Sequence, residues 1–253
     1  MSPPVRIAMW SGPRNISTAM MRSFENRADT AVVDEPFYAA YLAATGLDHP
    51  MRDEVLASQS TDWSQVIADL TGQAPDGAAV FYQKHMTQHM LPGVDLSWTP
   101  QCRNAFLIRD PARVLASYSA KRGEVTLADI GVERQGELFE READRLGHAP
   151  PVIEGRDILI DPPRALTALC AALGIAFDPA MLAWPAGRRD TDGVWAPAWY
   201  DAVERSTGFG PPPDEAAPPA LSDELQRIAD AARPSYERLA AFRIGLSSGS
   251  AQP

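Results

Sequence analysis

The sequence predicts an α/β fold in three layers (αβα), with helices on both faces of a central, mostly parallel sheet. Three observations predict it. Short, nearly unbroken apolar runs recur along the chain, as expected of strands buried on both faces. Helical patterns alternate with them, which is what crossovers between parallel strands require. The first run ends in a Gly-Pro turn that opens a helix rich in Ser and Thr. No internal repeat competes with this reading.

Val5 to Trp10, polar only at Arg6, is the first strand. Ser11-Gly12-Pro13-Arg14-Asn15 is turn chemistry and bars helix until Ile16 or Ser17. Thr18 to Asn26 then carries Met20, Met21 and Phe24 on or near one helical face. Thr30 to Val33 is a second strand; it stops before Pro36, which cannot donate to a ladder, and an aromatic-rich helix over Phe37 to Leu47 follows. Ala78 to Tyr82 and Asn104 to Ile108 are the third and fourth strands, and Pro111 suits the first turn of the next helix. Pro151 to Ile153 is a fifth strand, the helix Pro163 to Leu173 ends at Gly174, and residues 208–220 form a Pro-rich loop. Ser222 caps a last helix reaching about Phe242, with Glu224 in its first turn. Residues 1–245 thus read as one domain and 246–253 as a small, polar, disordered tail.

Composition narrows the function classes. The 253 residues are 45% hydrophobic and 22% charged, which excludes wholesale disorder, collagen and coiled coil. A formal net charge of −10 argues against nucleic acid as a partner, because that wants an extended basic surface. The N-terminus lacks the apolar stretch of a signal peptide and no run is long enough for a bilayer, so a soluble cytoplasmic protein with no membrane partner is expected. Cys102 and Cys170 make neither a disulfide framework nor a metal-site spacing, and no metal is expected. The acidity is uneven: residues 1–30 sum to +2 and residues 80–122 to +4, leaving −16 for the rest. An extended polyanion is therefore excluded, and a small anion is not. Of 23 basic residues, only Lys84 and Lys121 are lysines. Oligomeric state is not set by the sequence.

The two basic windows hold the candidate binding residues. In the first, Ser11, Gly12, Pro13, Arg14, Asn15, Ile16, Ser17 and Thr18 combine the amides of a helix N-terminus with hydroxyls and a guanidinium, a place for phosphate or sulfate. A plain turn with Ser17 and Thr18 as helix caps is the competing arrangement. No Gly-Lys pair precedes Ser17, so the Walker lysine of ATPases has no counterpart. In the second window Arg109 stands at the C-terminal end of a parallel strand, where α/β sheets bind ligands. Ser117 lies about two helical turns beyond it. Here the competing arrangement is a local Arg109–Asp110 ion pair with Ser117 solvated.

Together these residues resemble the sulfotransferases that use 3′-phosphoadenosine 5′-phosphosulfate (PAPS). Pro13-Arg14-Asn15-Ile16-Ser17-Thr18 looks like that family's 5′-phosphosulfate loop, Pro-Lys/Arg-Ser-Gly-Thr-Thr, with Asn15 for serine and Ile16 for glycine. Arg109-Asp110-Pro111 followed by Ser117 looks like its 3′-phosphate signature. Ile158 to Pro162, continuing to Leu173-Gly174-Ile175, resembles the segment after its fifth strand. Asp192-Gly193-Val194-Trp195 loosely resembles its late Gly-Asp-Trp loop over the nucleotide, where Arg188 and Arg189 stand in for an absent Arg-Lys-Gly triplet. The likeness covers roughly residues 5 to 209. It is strongest to a bacterial and plant branch with the phrases Ser-Gly-Pro-Arg-Asn, Asp-Glu-Pro-Phe-Tyr and Lys-His-Met, here Ser11 to Asn15, Asp34 to Tyr38 and Lys84 to Met86.

The resemblance implies a P-loop NTPase-like sulfotransferase fold and transfer of a sulfuryl group from PAPS to a hydroxyl or amine of a small-molecule acceptor. Arg14, Ser17 and Thr18 would then grip the 5′-phosphosulfate, Arg109 and Ser117 the 3′-phosphate, and Gly193 and Trp195 would lie near the nucleotide. Lys84 and His85, expected just past the third strand, stand near the family's Lys-X-His position; Glu35, at the end of the second strand, stands where other members carry a catalytic carboxylate. His85 is the favoured base, since an imidazole titrates near neutrality without extreme tuning, and His89 is the weaker choice. A buried structural His85 and a helix-capping Glu35 are the competing roles. Two other functions stay open: a P-loop small-molecule kinase or NTPase, and a non-catalytic nucleotide-binding protein of the same fold.

Overall fold

A computed structural model describes residues 3–120, 124–212 and 218–245; the expected disordered tail and part of the Pro-rich loop lie outside the described residues. Its strands are β1 (Val5–Ser11), β2 (Thr30–Asp34), β3 (Val80–Met86), β4 (Arg103–Ile108) and β5 (Val152–Glu154). They form one sheet in the order β2-β3-β1-β4-β5, and every pairing is parallel. The helices are α1 (Ser17–Glu25), α2 (Tyr38–Thr45), α3 (Arg52–Ser58), α4 (Trp63–Thr71), α5 (Pro111–Ser119), α6 (Leu127–Ile130), α7 (Val132–Leu146), α8 (Gly155–Ile160), α9 (Pro162–Ala172), α10 (Ala196–Trp199), α11 (Asp201–Glu204) and α12 (Asp223–Ala240).

Side chains alternate along a strand, so each strand feeds both helical layers. Ile7, Met9, Val80 and Tyr82 face α1, α8 and α9, meeting Met20, Phe24, Ile158 and Leu169. Ala8, Trp10, Phe81 and Phe106 face α4, α7 and α12, meeting Leu70, Leu138, Phe139 and Leu239. Local chemistry sets the boundaries. The Asp110 carboxylate accepts from the Arg113 amide ahead of Pro111, and the Ser222 hydroxyl accepts from the Leu225 amide. Gly174, just past α9, has φ +63°, which suits its lack of a side chain. No helix among the described residues is long and apolar enough to cross a membrane.

One boundary differs from expectation with functional consequences. β3 runs to Met86 rather than stopping at Tyr82, and all seven of its residues are buried. The polar run Gln83-Lys84-His85 reads as a strand end, yet register carries it inward: Met9 pairs with Lys84, Trp10 with His85, and Asp34 with Lys84. Each of these side chains finds a polar partner, such as Gln83 Nε2 donating to the Leu70 carbonyl at 2.9 Å.

Glu154, ending β5, packs against α12, where the Tyr236 hydroxyl donates to its Oε2 at 2.9 Å. Burial pushes its carboxyl from 4.5 up to about 7. The folded chain therefore holds a proton that the unfolded chain has released. This stabilising contribution is full below pH 4.5 and lost as pH rises through about 7. Glu154→Gln is expected to be the more stable chain above neutrality and to flatten this part of the pH dependence. Urea unfolding of both proteins between about pH 5 and 8 checks it; parallel pH profiles would contradict it.

Candidate functional site

β1, β2 and β3 are neighbours in the sheet, so their C-terminal ends bring together three phrases far apart in the sequence. Ser11 to Asn15 leaves β1, Asp34 to Tyr38 leaves β2, and Lys84 to Met86 closes β3. A cavity of about 480 Å³ lies at this edge, where parallel sheets place ligand sites.

The first part of the cavity is the turn between β1 and α1. Arg14, Ser17, Thr18, Arg109 and Ser117 all line it. The Arg14 Nε–H donates to the Ser117 hydroxyl at 3.1 Å, and the Arg109 guanidinium donates to the Arg14 carbonyl. Asp110 is occupied as the cap of α5 and lies 3.7 Å from Arg233, so Arg109 turns to the loop. Ile16 rather than Ser17 or Thr18 is the N-cap of α1 and makes no capping bond, and no acidic residue sits in the first turn. The leading amides of α1 are thus left for an anion. Burial lowers the pKa of Arg14, the mark of a desolvated cation that gains from an anionic neighbour.

This turn carries unusual backbone. Arg14 has φ +57° and Ile16 φ +22°, and across the cavity Glu35 has φ +40°. Such conformations cost about 1–3 kcal/mol each for residues with side chains and persist where surroundings enforce them. The positive φ of Ile16 is a conformation that a glycine accepts without strain. Asn15 pins the turn by donating its side-chain amide to the Leu107 carbonyl at 3.0 Å. Gly155 makes room beneath: a Cβ there would lie 2.6 Å from Asn15 Oδ1 and 3.4 Å from Ile16 Cγ1.

The second part is a buried ionic cluster. Lys84 is 1% exposed, and its Nζ donates to Asp34 Oδ1 at 2.8 Å, Glu35 Oε1 at 2.8 Å and the Tyr200 hydroxyl at 2.7 Å. Tyr200 in turn donates to Asp34 Oδ2 at 2.6 Å and accepts from the Trp195 indole at 3.0 Å. Burial alone would lower the Lys84 pKa, but the charges of Asp34 and Glu35 outweigh it and hold the ammonium well above the usual lysine range. Burial raises the Glu35 carboxyl despite the opposing pull of Lys84. The result is a carboxylate that lines the cavity, is fixed by one ammonium, and has a raised proton affinity.

A family model for the sulfotransferase domain matches residues 5–242. The chain belongs to the sulfotransferase-domain family. Two Arabidopsis thaliana proteins, branched-chain-amino-acid aminotransferase-like proteins 1 and 2, are similar to it at 39% identity over 214 residues and 36% over 208. Those matches take in 84% and 81% of this chain but only 38% and 36% of theirs, so the chain spans under two-fifths of these relatives. Among solved structures, the sulfotransferase domain of the curacin biosynthetic pathway aligns with TM-score 0.53 at 18% identity, covering 93% of this chain and 98% of that one. The sulfotransferase domain of the Synechococcus PCC 7002 olefin synthase aligns with TM-score 0.54 at 16% identity, covering 91% and 95%. Both are likenesses of fold.

Within this sulfotransferase domain several expected site residues have other work. His85 is not among the cavity-lining residues. Strand alternation turns it to the face of Trp10 and Phe81, away from Lys84, and its ring stacks on Trp10 at 4.5 Å with Phe37 and Trp98 alongside. Its Nε2 lies 3.2 Å from Gln83 Oε1, and burial pushes it down to about 3, so it is a neutral core residue. Ser11 and Gly12 lie behind the turn, the Ser11 hydroxyl donating to the Gly12 carbonyl at 2.8 Å. Gly193 contributes its amide to Asp34 Oδ2 at 3.1 Å, and Trp195 lines the cavity as a 1% exposed ring bonded to Tyr200. Both position the ionic cluster. Arg189 lies 3.2 Å from Glu25 and neither it nor Arg188 lines the cavity; Asp192 takes Arg22 at 2.7 Å. Sequence reasoning passed over Asp34 and Gly155 and underrated His89. Asp34 stands inside a quoted phrase and His89 follows Lys84 closely, whereas Gly155 carried no signal.

Proposed function

We propose that this domain transfers a sulfuryl group from PAPS to a hydroxyl or amine of a small-molecule acceptor. The observation that carries the reading is the junction of Arg14, Arg109 and Ser117 at the uncapped start of α1, in one cavity with the Glu35–Lys84 pair. The donor set fits PAPS: two guanidiniums, three hydroxyls and helix amides suit separate anionic groups, and an arginine fork suits a terminal phosphate. When bound, PAPS supplies the activated sulfuryl group.

Arg14, Ser17, Thr18 and the α1 amides would hold the 5′ side of PAPS, and Arg109 with Ser117 its 3′-phosphate. Glu35 would take the proton that the acceptor hydroxyl or amine releases on receiving the sulfuryl group. Arg14 would meet the negative charge gained by the departing adenosine 3′,5′-bisphosphate. Lys84 holds Glu35 in place. Adenosine 3′,5′-bisphosphate is expected to raise the melting temperature, and Arg109→Ala to weaken it roughly 10- to 100-fold while leaving adenosine 5′-phosphate nearly unchanged. Stabilisation by ATP–Mg²⁺ alone would favour the kinase reading instead.

A further inference from the structure

Glu35 stands in a turn that its neighbours in sequence do little to brace. Its φ is +40°, costly for a residue with a side chain, and the next residue, Pro36, has no N–H to offer. Among the described residues β2 is an edge strand, with β3 on one side of it. The Glu35 N–H donates across to the Lys84 carbonyl at 3.0 Å. In a trans peptide the C=O and N–H point opposite ways, so the Asp34 carbonyl of that same peptide faces the open edge. Beyond the turn, α2 begins without a capping side chain, because its N-cap is Phe37.

One side chain meets all of these groups. Gln59, just past α3, directs Nε2 at the Asp34 carbonyl at 3.4 Å and at the Glu35 carbonyl at 3.2 Å, and its Oε1 accepts from the Ala39 amide at 3.2 Å. Two carbonyls at one end and an N–H at the other fix which end of the side-chain amide is nitrogen. The bonds straddle Glu35, Pro36 and Phe37. They give the edge strand a partner where a further strand would lie, and they cap the second amide of α2. Gln59 is anchored on both sides. Val55 of α3 is fully buried with Tyr38 and Leu42, and Trp63, starting α4, stacks on Phe37 at 5.4 Å.

We propose that Gln59 is a positioning residue: from outside the cavity it locks the Asp34–Tyr38 turn in the conformation that presents the Glu35 carboxylate beside Lys84. Gln59 does not line the cavity, so its influence on chemistry passes through this turn. Glu35 Oε1 lies 2.8 Å from Lys84 Nζ, and relaxation of φ to the ordinary negative region would redirect the Cα–Cβ bond that sets this contact. A base displaced by about an ångström loses much of its effect. As a role in catalysis the inference rests on Glu35 being the base of sulfuryl transfer; as a role in holding the turn it does not.

Gln59→Leu keeps most of the side-chain volume and removes all three bonds, whereas Gln59→Glu keeps the acceptor for Ala39 and turns a second oxygen on the two carbonyls. Amide hydrogen exchange and steady-state transfer from PAPS to tyramine test both variants. The amides of Glu35 and Tyr38 are expected to exchange about tenfold faster or more, with those of Met9 and Ala105 in the central strands unchanged. The kcat is expected to fall about 10- to 100-fold while KM for PAPS is kept. On a Glu35→Gln background, adding Gln59→Leu should lower kcat little further, because a positioning residue acts through the group it positions. Wild-type protection of the Glu35 amide in Gln59→Leu, faster exchange spread to Met9 and Ala105, an unchanged kcat in an active enzyme, or a kcat loss that persists in full on Glu35→Gln overturns the inference. Loosening confined to the turn, in a protein whose wild type transfers no sulfuryl group, counts against the transfer reading alone.

Discussion

Lys84→Met is expected to lower the unfolding free energy by about 3–5 kcal/mol and to abolish transfer. Methionine keeps most of the stem's volume, so the loss comes from charge. Asp34 and Glu35 have side chains only 2% and 12% exposed, and without the ammonium both stay buried with no cation between them. The pH dependence separates this cause from poor packing. Wild-type Glu35 already has a raised pKa, held down partly by Lys84, and removing Lys84 raises it further. A carboxyl with folded pKa above its unfolded 4.5 lends stability that is full below 4.5 and lost as pH rises through the folded value. The mutant should therefore recover stability on acidification, over a window extending to higher pH than in the wild type. Denaturant unfolding at about pH 7 and pH 5 measures both effects. A deficit independent of pH would indicate a packing defect and remove the ionic cluster from the account.

The fold was largely legible because its elements obey local rules. Apolar runs, Pro111 at a helix start and Gly174 past a helix end each act within a few residues. The β1–α1 turn was legible for the same reason: a strand, a turn and a helix start are consecutive in the chain. What stayed hidden depends on register and on closure over long separations. Ending β3 at Tyr82 hid the alternation that pairs His85 with Phe81 and Lys84 with Tyr82, and so assigned two adjacent residues to one site. Tyr200 reaches Lys84 across 116 positions and Trp195 joins it there, a convergence that no periodicity announces. Gly155 looks like an ordinary glycine until Asn15 and Ile16 are laid against it.

The net charge of −10 takes on a spatial meaning in the same way. The two carboxylates at the site are not part of a diffuse acidic shell, because Lys84 binds both. Arg22 and Arg189 are drawn off by Asp192 and Glu25. Among the described residues, Arg14 and Arg109 are therefore the cations that line the cavity besides the committed Lys84.

Glu35→Gln is expected to cut kcat about 10²- to 10⁴-fold with little change in the affinity for adenosine 3′,5′-bisphosphate, whereas His85→Phe is expected to retain transfer. The two substitutions decide between bases that the sequence left side by side. Glu35 lines the cavity, is fixed through Oε1 by Lys84, and has a proton affinity raised by burial. Its base role demands the ionised form, so kcat should rise with pH through that raised value and then level off. His85 lies against Trp10 and Trp98 with its pKa pushed down to about 3 and no route to the cavity, so a ring of similar shape replaces it at little cost to chemistry. His85→Phe should register instead as a change in melting temperature, because Gln83 Oε1 loses its imidazole partner at 3.2 Å and keeps only a distant thiol at 3.8 Å. Tyramine, offering both an amine and a phenol, serves as the probe for single-turnover transfer from labelled PAPS. A folded His85→Phe without transfer, beside an active Glu35→Gln, would return the proton to the histidine; a buried ring on the far face of the sheet gives no means by which it could reach the acceptor.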